Sequence, residues 1–323
     1  MTVSLNDTTA YHRGDRASLG WEQTISECLK DQASPYMEAL KVKRSYGDIV
    51  GDLLEGRGMI GAGFRVLEVG GGYGNLARSL LGRFGSITMT MVDVSHVFLA
   101  AQRKTLLPFE GRVGFVHADV FDYLTDSEEP DLIISNEGMG DFPSIVDIPK
   151  DALIDFAEGH TPPIDSERDG GRYLGEARDF VNRLGIDLAG APELINLNTG
   201  AVRFVEQAMK KTKCLFVTEH SSDWTIPDSM EGFFRDARAD LWPRKILLFG
   251  HVEVTICFEH IARSLSGMGC ALEGGRLMEL LSVRDDPEIR YILLSGSIES
   301  QRNELIGEFV DHVKEYQWLV AHR

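Results

Sequence analysis

The run RVLEVGGGYGN sets an acid, Glu68, two positions before Gly70, with further glycines at Gly72 and Gly74. A β-branched run that passes into an amphipathic helix through glycines brings bare backbone close to a ligand. Glycine alone allows both the unusual φ angles and the approach. The helix that follows offers free N–H groups to a negative charge. Asp93 ends the next apolar run, in MVDV, where a carboxylate accepts hydrogen bonds from both hydroxyls of a ribose. Asp119 follows the run after that, in HADV, placed to accept from an adenine amino group while the Val120 N–H meets a ring nitrogen. The fourth run ends in Ser135-Asn136-Glu137, at the reacting end of whatever the loop holds.

Two ligand classes compete for such a loop. A pyrophosphate loop of the form G-x-G-x-x-G requires glycine where Asn75 stands, and Glu68 would repel a pyrophosphate. A zwitterionic amino acid accounts for both residues: its carboxylate meets loop N–H groups and its ammonium lies near the acid. Joined to a ribose and an adenine, that amino acid is the methionyl part of S-adenosylmethionine. The expected cofactor contacts are Glu68, Gly70, Gly72, Asp93, Asp119, Val120 and Asn136.

Residues 66–137 resemble the core of class I S-adenosylmethionine-dependent methyltransferases. The resemblance implies an α/β fold, a Rossmann-like doubly wound sheet of seven strands with the last antiparallel. A narrower likeness rests on ISNEGMGDFP and GHVEVTICFEHIARSLSGMG, which resemble two elements of the MidA-like protein-arginine methyltransferase family. The acid after Asn136-Glu137 stands one place late, at Asp141, and no arginine substrate is assigned on that likeness.

Methyl transfer from a sulfonium is an in-line displacement, and a base is needed only when the acceptor starts protonated. Candidate catalytic residues therefore come from the carboxyl ends of strands four and five. Glu137 is placed to pair with a cationic nitrogen or take a proton, and His220 to act as a base near neutral pH. Glu219, His220 and Asp223 have no recognised metal spacing, so no metal ligands are assigned. Trp224, Phe233, Phe234 and Trp242 line a substrate mouth or fill a satellite core.

These side chains need a scaffold. Residues 1–58 read as a polar start followed by two or three helices. Residues 59–143 and 199–300 read as the Rossmann-like core, the latter including a helix over VEVTICFEHIARSLSGMG and a strand in RYILLSGSI. Residues 144–198, rich in Pro, Gly and charge, read as an inserted substrate or cap segment, and 301–323 as a helix with Ile306, Phe309, Val313, Tyr316 and Val320 on one stripe. Segments 144–197 and 221–246 are expected to cover the methyl-donor end of the cofactor.

The chain is 43% hydrophobic, enough for a sizeable core, and carries a net charge of -17. Excess acid argues against a nucleic-acid partner and favours cationic ones. Four widely spaced cysteines, no apolar leader and no run long enough to span a bilayer point to the cytoplasm and against a membrane partner. The expected substrate is a small molecule or a protein side chain, with an oligomer open. The alternative to an enzyme is a catalytically silent S-adenosylmethionine-binding assembly protein.

Overall fold

The computed structural model describes residues 3–14, 24–157, 169–223, 242–248, 250–282, 287, 289, 291, 292 and 300–323. Trp224, Phe233 and Phe234 lie outside these residues, as do parts of both expected cover segments. The chain opens with strand β1 (Ser4–Asn6) and the short helices α1 (Thr9–His12), α2 (Ile25–Cys28) and α3 (Pro35–Ala39), followed by α4 (Tyr46–Gly56). Ser45 starts α4 by accepting the Asp48 N–H at 3.1 Å while its hydroxyl donates to the Asp48 carboxylate at 2.8 Å. Then come β2 (Arg65–Val69), α5 (Asn75–Arg83), β3 (Thr88–Asp93), α6 (His96–Thr105), β4 (Val113–His117), α7 (Val120–Asp126) and β5 (Leu132–Asn136). Helix α5 runs through Gly82, and the Ser95 side chain caps α6 by accepting the Phe98 N–H.

The second half holds β6 (Ser144–Pro149), α8 (Lys150–Ala157), α9 (Asp169–Leu184), β7 (Leu194–Leu197), α10 (Thr199–Lys211) and β8 (Cys214–His220). It continues with β9 (Lys245–Leu247), β10 (Val252–Val254), α11 (Phe258–Gly267), β11 (Ala271–Arg276), α12 (Leu277–Leu280), α13 (Gln301–Val313) and β12 (Tyr316–His322). Seven strands form one sheet in the order β11-β12-β8-β5-β2-β3-β4. β4, β3, β2, β5 and β8 run parallel, and β12 is antiparallel to both of its neighbours. This is the Rossmann-like doubly wound sheet with its last strand reversed.

Strand alternation divides the core between the two faces. Val66, Ile134, Phe216 and Val320 join the helices α4, α5 and α13 on one side. Leu67, Ile133, Leu215 and Leu319 join α7, α10 and α11 on the other. Among the described residues no helix is long and apolar enough to cross a membrane, and the four cysteines are free.

Three segments depart from the sequence reading. The stripe through Ile306, Phe309, Val313, Tyr316 and Val320 is not one helix: α13 stops at Val313, and Tyr316 and Val320 belong to β12. Tyr316, Trp318 and Val320 continue on the same core face at a period of two, while Leu319 and Ala321 fill the other face. A run buried on both sides is a central strand, and its shared face with α13 mimics helical spacing. Val252–Val254 likewise form a strand before α11 starts at Phe258, as the alternating β-branched residues of that run favour. In RYILLSGSI, Tyr291 and Ile292 are helical, and residues 293–299 lie outside those described.

The polar start is also structured. β1 adds antiparallel to the edge of β6, Leu5 opposite Ile145, and β6 pairs with β7, so a small sheet β1-β6-β7 stands beside the main one. Backbone pairing, which composition does not reveal, holds it there.

Where β5 hands over to β6, Gly200 donates its N–H to the Pro143 carbonyl at 2.7 Å. A Cβ there would lie 2.5 Å from that oxygen and 2.8 Å from the Pro143 nitrogen. Gly200→Ala should therefore destabilise the protein by about 1–3 kcal/mol. Gly85→Ala, with nothing within 4 Å of its Cβ, should have little effect. Urea midpoints of the two variants decide the point.

Candidate functional site

β2 passes into α5 through a turn in which Gly70, Gly72 and Gly74 take φ of 64°, 51° and 81°. That left-handed path is strained for any residue with a Cβ, and it turns the backbone toward an open cleft at the carboxyl ends of the strands. The cleft spans about 730 Å³ including its mouth. Gly70, Gly72, Asp93, Asp119, Val120 and Glu137 line it together.

Asp93 ends β3, buried, with Oδ1 accepting from the Ser95 N–H at 2.8 Å and Oδ2 from the Gln102 amide at 3.1 Å. The same Gln102 amide donates to the Gly72 carbonyl at 3.1 Å, tying the glycine turn to Asp93. Sequence reasoning missed Gln102, although its place in the helix after Asp93 was the available signal. Asp119 caps α7 through the Phe121 N–H at 2.9 Å and still faces the cleft. Val120 is the first helical residue, where an N–H has no partner within its helix.

Glu68 lies behind the glycine turn, 1% exposed, and is not among the residues lining the cleft. A Cβ on Gly71 would come within 3.2 Å of its carboxylate. Glu68 Oε2 is buried with no hydrogen-bond partner among the described residues. Burial, and then the charge of Asp93, push Glu68 up to about 8. The Gly70 and Gly74 N–H groups bond the Val92 and Gly71 carbonyls, and the buried acid with an unused oxygen beneath that turn fits a ligand carrying an ammonium.

Asn136 is placed differently from expectation. Its Oδ1 accepts from the Tyr46 hydroxyl at 2.5 Å and the Thr218 hydroxyl at 2.7 Å, and its amide donates to Glu137 at 2.8 Å. It is a buried joint behind the cleft wall and does not line it. Glu137 does line it, at φ 56°, an uncommon backbone state for a non-glycine residue that marks a site worth explaining. Its carboxylate accepts from the Ile25 N–H at 3.0 and 3.1 Å and from the Tyr316 hydroxyl at 3.5 Å. Burial, opposed by these hydrogen bonds, pushes Glu137 up to about 7.

His220 is not among the cleft-lining residues; its ring packs on Tyr316 with centroids 4.0 Å apart. The adjacent Glu219 is buried and accepts from the Met139 and Gly140 N–H groups at 2.8 and 3.1 Å, which fixes the loop after β5. No described residue of 144–197 lines the cleft either. Among the described residues the N-terminal segment lines this end of the cleft, through Thr8, Thr9 and His12, while residues 158–168 and 224–241 of the expected cover lie outside those described. His12, Asp141 and His251 gather at this end, from three distant parts of the chain. Sequence spacing had not brought them together.

The raised acids fix a pH response. Folded Glu68 keeps a proton that the unfolded chain releases above about its ordinary 4.5. Stability therefore falls as pH rises from there through about 8, at about 1.4 kcal/mol per pH unit for each such acid. Glu137 acts in the same direction up to about 7. Denaturation at pH 5, 6.5 and 8 should show this decline, and Glu68→Gln should flatten it. An unchanged slope in the folded variant contradicts the assignment.

Residues 66–148 match the family model described as a methyltransferase domain. No curated protein matches the chain by sequence. Similar solved structures include the plantazolicin methyltransferase BamL in complex with a triazolic desmethylPZN analog and SAH, at 10% identity over 93% of this chain and 89% of that one, TM-score 0.43. An uncharacterised protein from Burkholderia thailandensis is 15% identical over 98% and 91%, TM-score 0.46. The pyocyanin biosynthetic protein PhzM is 15% identical over 81% and 51%, TM-score 0.37. Likenesses this distant name no acceptor for this chain. The glycine turn and the acids that follow it lie within that match: residues 66–148 carry a methyltransferase domain, set in the seven-stranded Rossmann-like sheet.

Proposed function

We propose that this chain transfers a methyl group from S-adenosylmethionine to a small-molecule or protein side-chain acceptor by in-line displacement. One observation carries the reading: the turn at Gly70 and Gly72, Asp93 and Asp119 all face a single cleft, in the order that an amino acid, a ribose and an adenine would need. The glycine turn holds the carboxylate through N–H groups other than those of Gly70 and Gly74, which bond the Val92 and Gly71 carbonyls, and the ammonium draws Glu68 behind the turn into its charged form. Asp93 takes the ribose hydroxyls, and Asp119 with the Val120 N–H takes the adenine edge.

S-adenosylmethionine, when bound, supplies an electrophilic methyl carbon, so the protein has only to position the acceptor and manage its proton. Glu137 is the group on the cleft wall suited to that task. Held near pH 7, it is able to accept a proton or to pair with a cationic acceptor. Asn136, Tyr316 and the Ile25 N–H orient its carboxylate. His220, whose ring packs on Tyr316, is not among the residues lining the cleft.

Calorimetry should show heat with S-adenosylmethionine and S-adenosylhomocysteine and none with NAD. Tight NAD binding without heat from the other two sinks the proposal. Asp93→Ala should keep the fold and weaken the cofactor by on the order of 10- to 100-fold, the worth of one hydrogen bond to a charged group. In assays of labelled methyl transfer into fractionated small molecules and proteins, Glu137→Gln should lower turnover more than cofactor affinity, and His220→Ala should change turnover little. The reverse pattern would exchange their roles.

A further inference from the structure

Three segments far apart in sequence meet beside Glu137. α1 supplies His12, carried there by β1 pairing and by the Thr8 hydroxyl, which donates to the Asp141 carbonyl at 2.8 Å. The loop after β5 supplies Asp141, fixed by the hold of Glu219 on Met139 and Gly140. The turn between β9 and β10 supplies His251. Gly250, at φ 93°, lies so close to Tyr11 that a Cβ would sit 2.9 Å from its ring. The Tyr11 ring in turn stacks on His251 at 4.3 Å. The Asn6 amide donates to the Val252 carbonyl at 2.8 Å and the Val254 N–H to the Gly140 carbonyl at 3.1 Å, so each segment is tied to another.

The side-chain atoms converge. His12 Nε2 lies 2.9 Å from Asp141 Oδ1, and His251 Nε2 lies 3.5 Å from the same oxygen and 3.4 Å from Glu253 Oε1. Nitrogen and oxygen ligands at about 2.0–2.2 Å from a shared ion stand about 3–3.5 Å from one another. An ordinary histidine–carboxylate pair would instead align the N–H on the oxygen. Here His12 Nε2 and Asp141 Oδ1 are both buried, are not aligned as a hydrogen bond despite their separation, and have no other hydrogen-bond partner among the described residues.

Charge points the same way. Asp141 and Glu253 both stand beside His251 Nε2, so two acids crowd one imidazole. Among the described residues no lysine or arginine pairs with either acid. A divalent cation offsets that crowding. Two imidazoles with carboxylates suit a transition ion, whereas magnesium and calcium favour oxygen alone.

We infer that His12, Asp141 and His251 bind one divalent transition-metal ion, with Glu253 in reach as a fourth ligand. His12 and Asp141 line the cleft, so the ion has a side facing the space where an acceptor enters. The site stands whether or not the chain transfers methyl groups.

The test uses full-length, untagged protein freed of metal by chelation and titrated with Zn²⁺ in a calorimeter. One equivalent should bind, and excess Mg²⁺ should not displace it. Asp141→Asn and His251→Gln should each weaken binding at least tenfold while circular dichroism stays unchanged. Co²⁺ in the wild-type chain should give a visible spectrum of nitrogen and oxygen ligation, which decides the matter even if a variant fails to fold. Absence of saturable Zn²⁺ binding, unchanged affinity in both folded variants, or a thiolate charge-transfer band from the cysteines would overturn the site.

Discussion

The Asn136 amide is the joint on which the rest depends. A side chain with two donors and one acceptor oxygen, buried at the end of a central strand, must find partners or cost several kcal/mol in lost hydration. It finds them in Tyr46 from α4, Thr218 from β8 and Glu137 beside it. Glu137 passes the connection on to the first turn of α2 and to Tyr316 at the start of β12. One face of the sheet, its reversed strand and the N-terminal helices are thus registered on one point at the wall of the cleft. Such a network specifies geometry more than it adds stability, and a partly satisfied version would be worse than none.

Around that joint the protein concentrates acids that water would rather keep. Glu68, Asp93, Glu137, Glu219 and Glu253 are all raised, with burial the leading cause in each. Among the described residues no lysine or arginine forms an ion pair with Glu68, Glu219 or Glu253. Field and solvation in this half of the cleft therefore favour whatever brings positive charge. A sulfonium, an ammonium and a metal ion are three forms of the same complement.

The glycine turn and the two acids that meet it at the cleft were legible in sequence because local chemistry fixes where they stand. A glycine turn needs its glycines, and Asp93 and Asp119 sit where strands must end. The opposite side of the cleft was not, because its residues are joined by long-range pairing. Asn136 was taken for a contact when its partners, Tyr46 and Thr218, are distant in sequence, and no local pattern marks such a bond. His220 has the chemistry of a base, but the pleat turns it onto Tyr316. His12 was hidden in a polar segment whose order comes from backbone hydrogen bonds to β6. The strand β12 was concealed by a stripe that α13 begins and a period-two run completes. The five parallel strands and their helices, by contrast, follow from patterns confined to neighbouring residues.

The position of β12 also has a bearing on how the molecule is made. Among the described residues β11 joins the sheet through β12, which lies between it and β8 although it is synthesised later. While the chain is still emerging from the ribosome, β8 must keep one edge unpaired and β11 has nothing to join. An exposed strand edge of this kind is a point of mispairing and a natural client for a chaperone. The order of synthesis and the order of assembly are therefore opposed at this edge, and the last wedge of sheet is also what brings Tyr316 to Glu137.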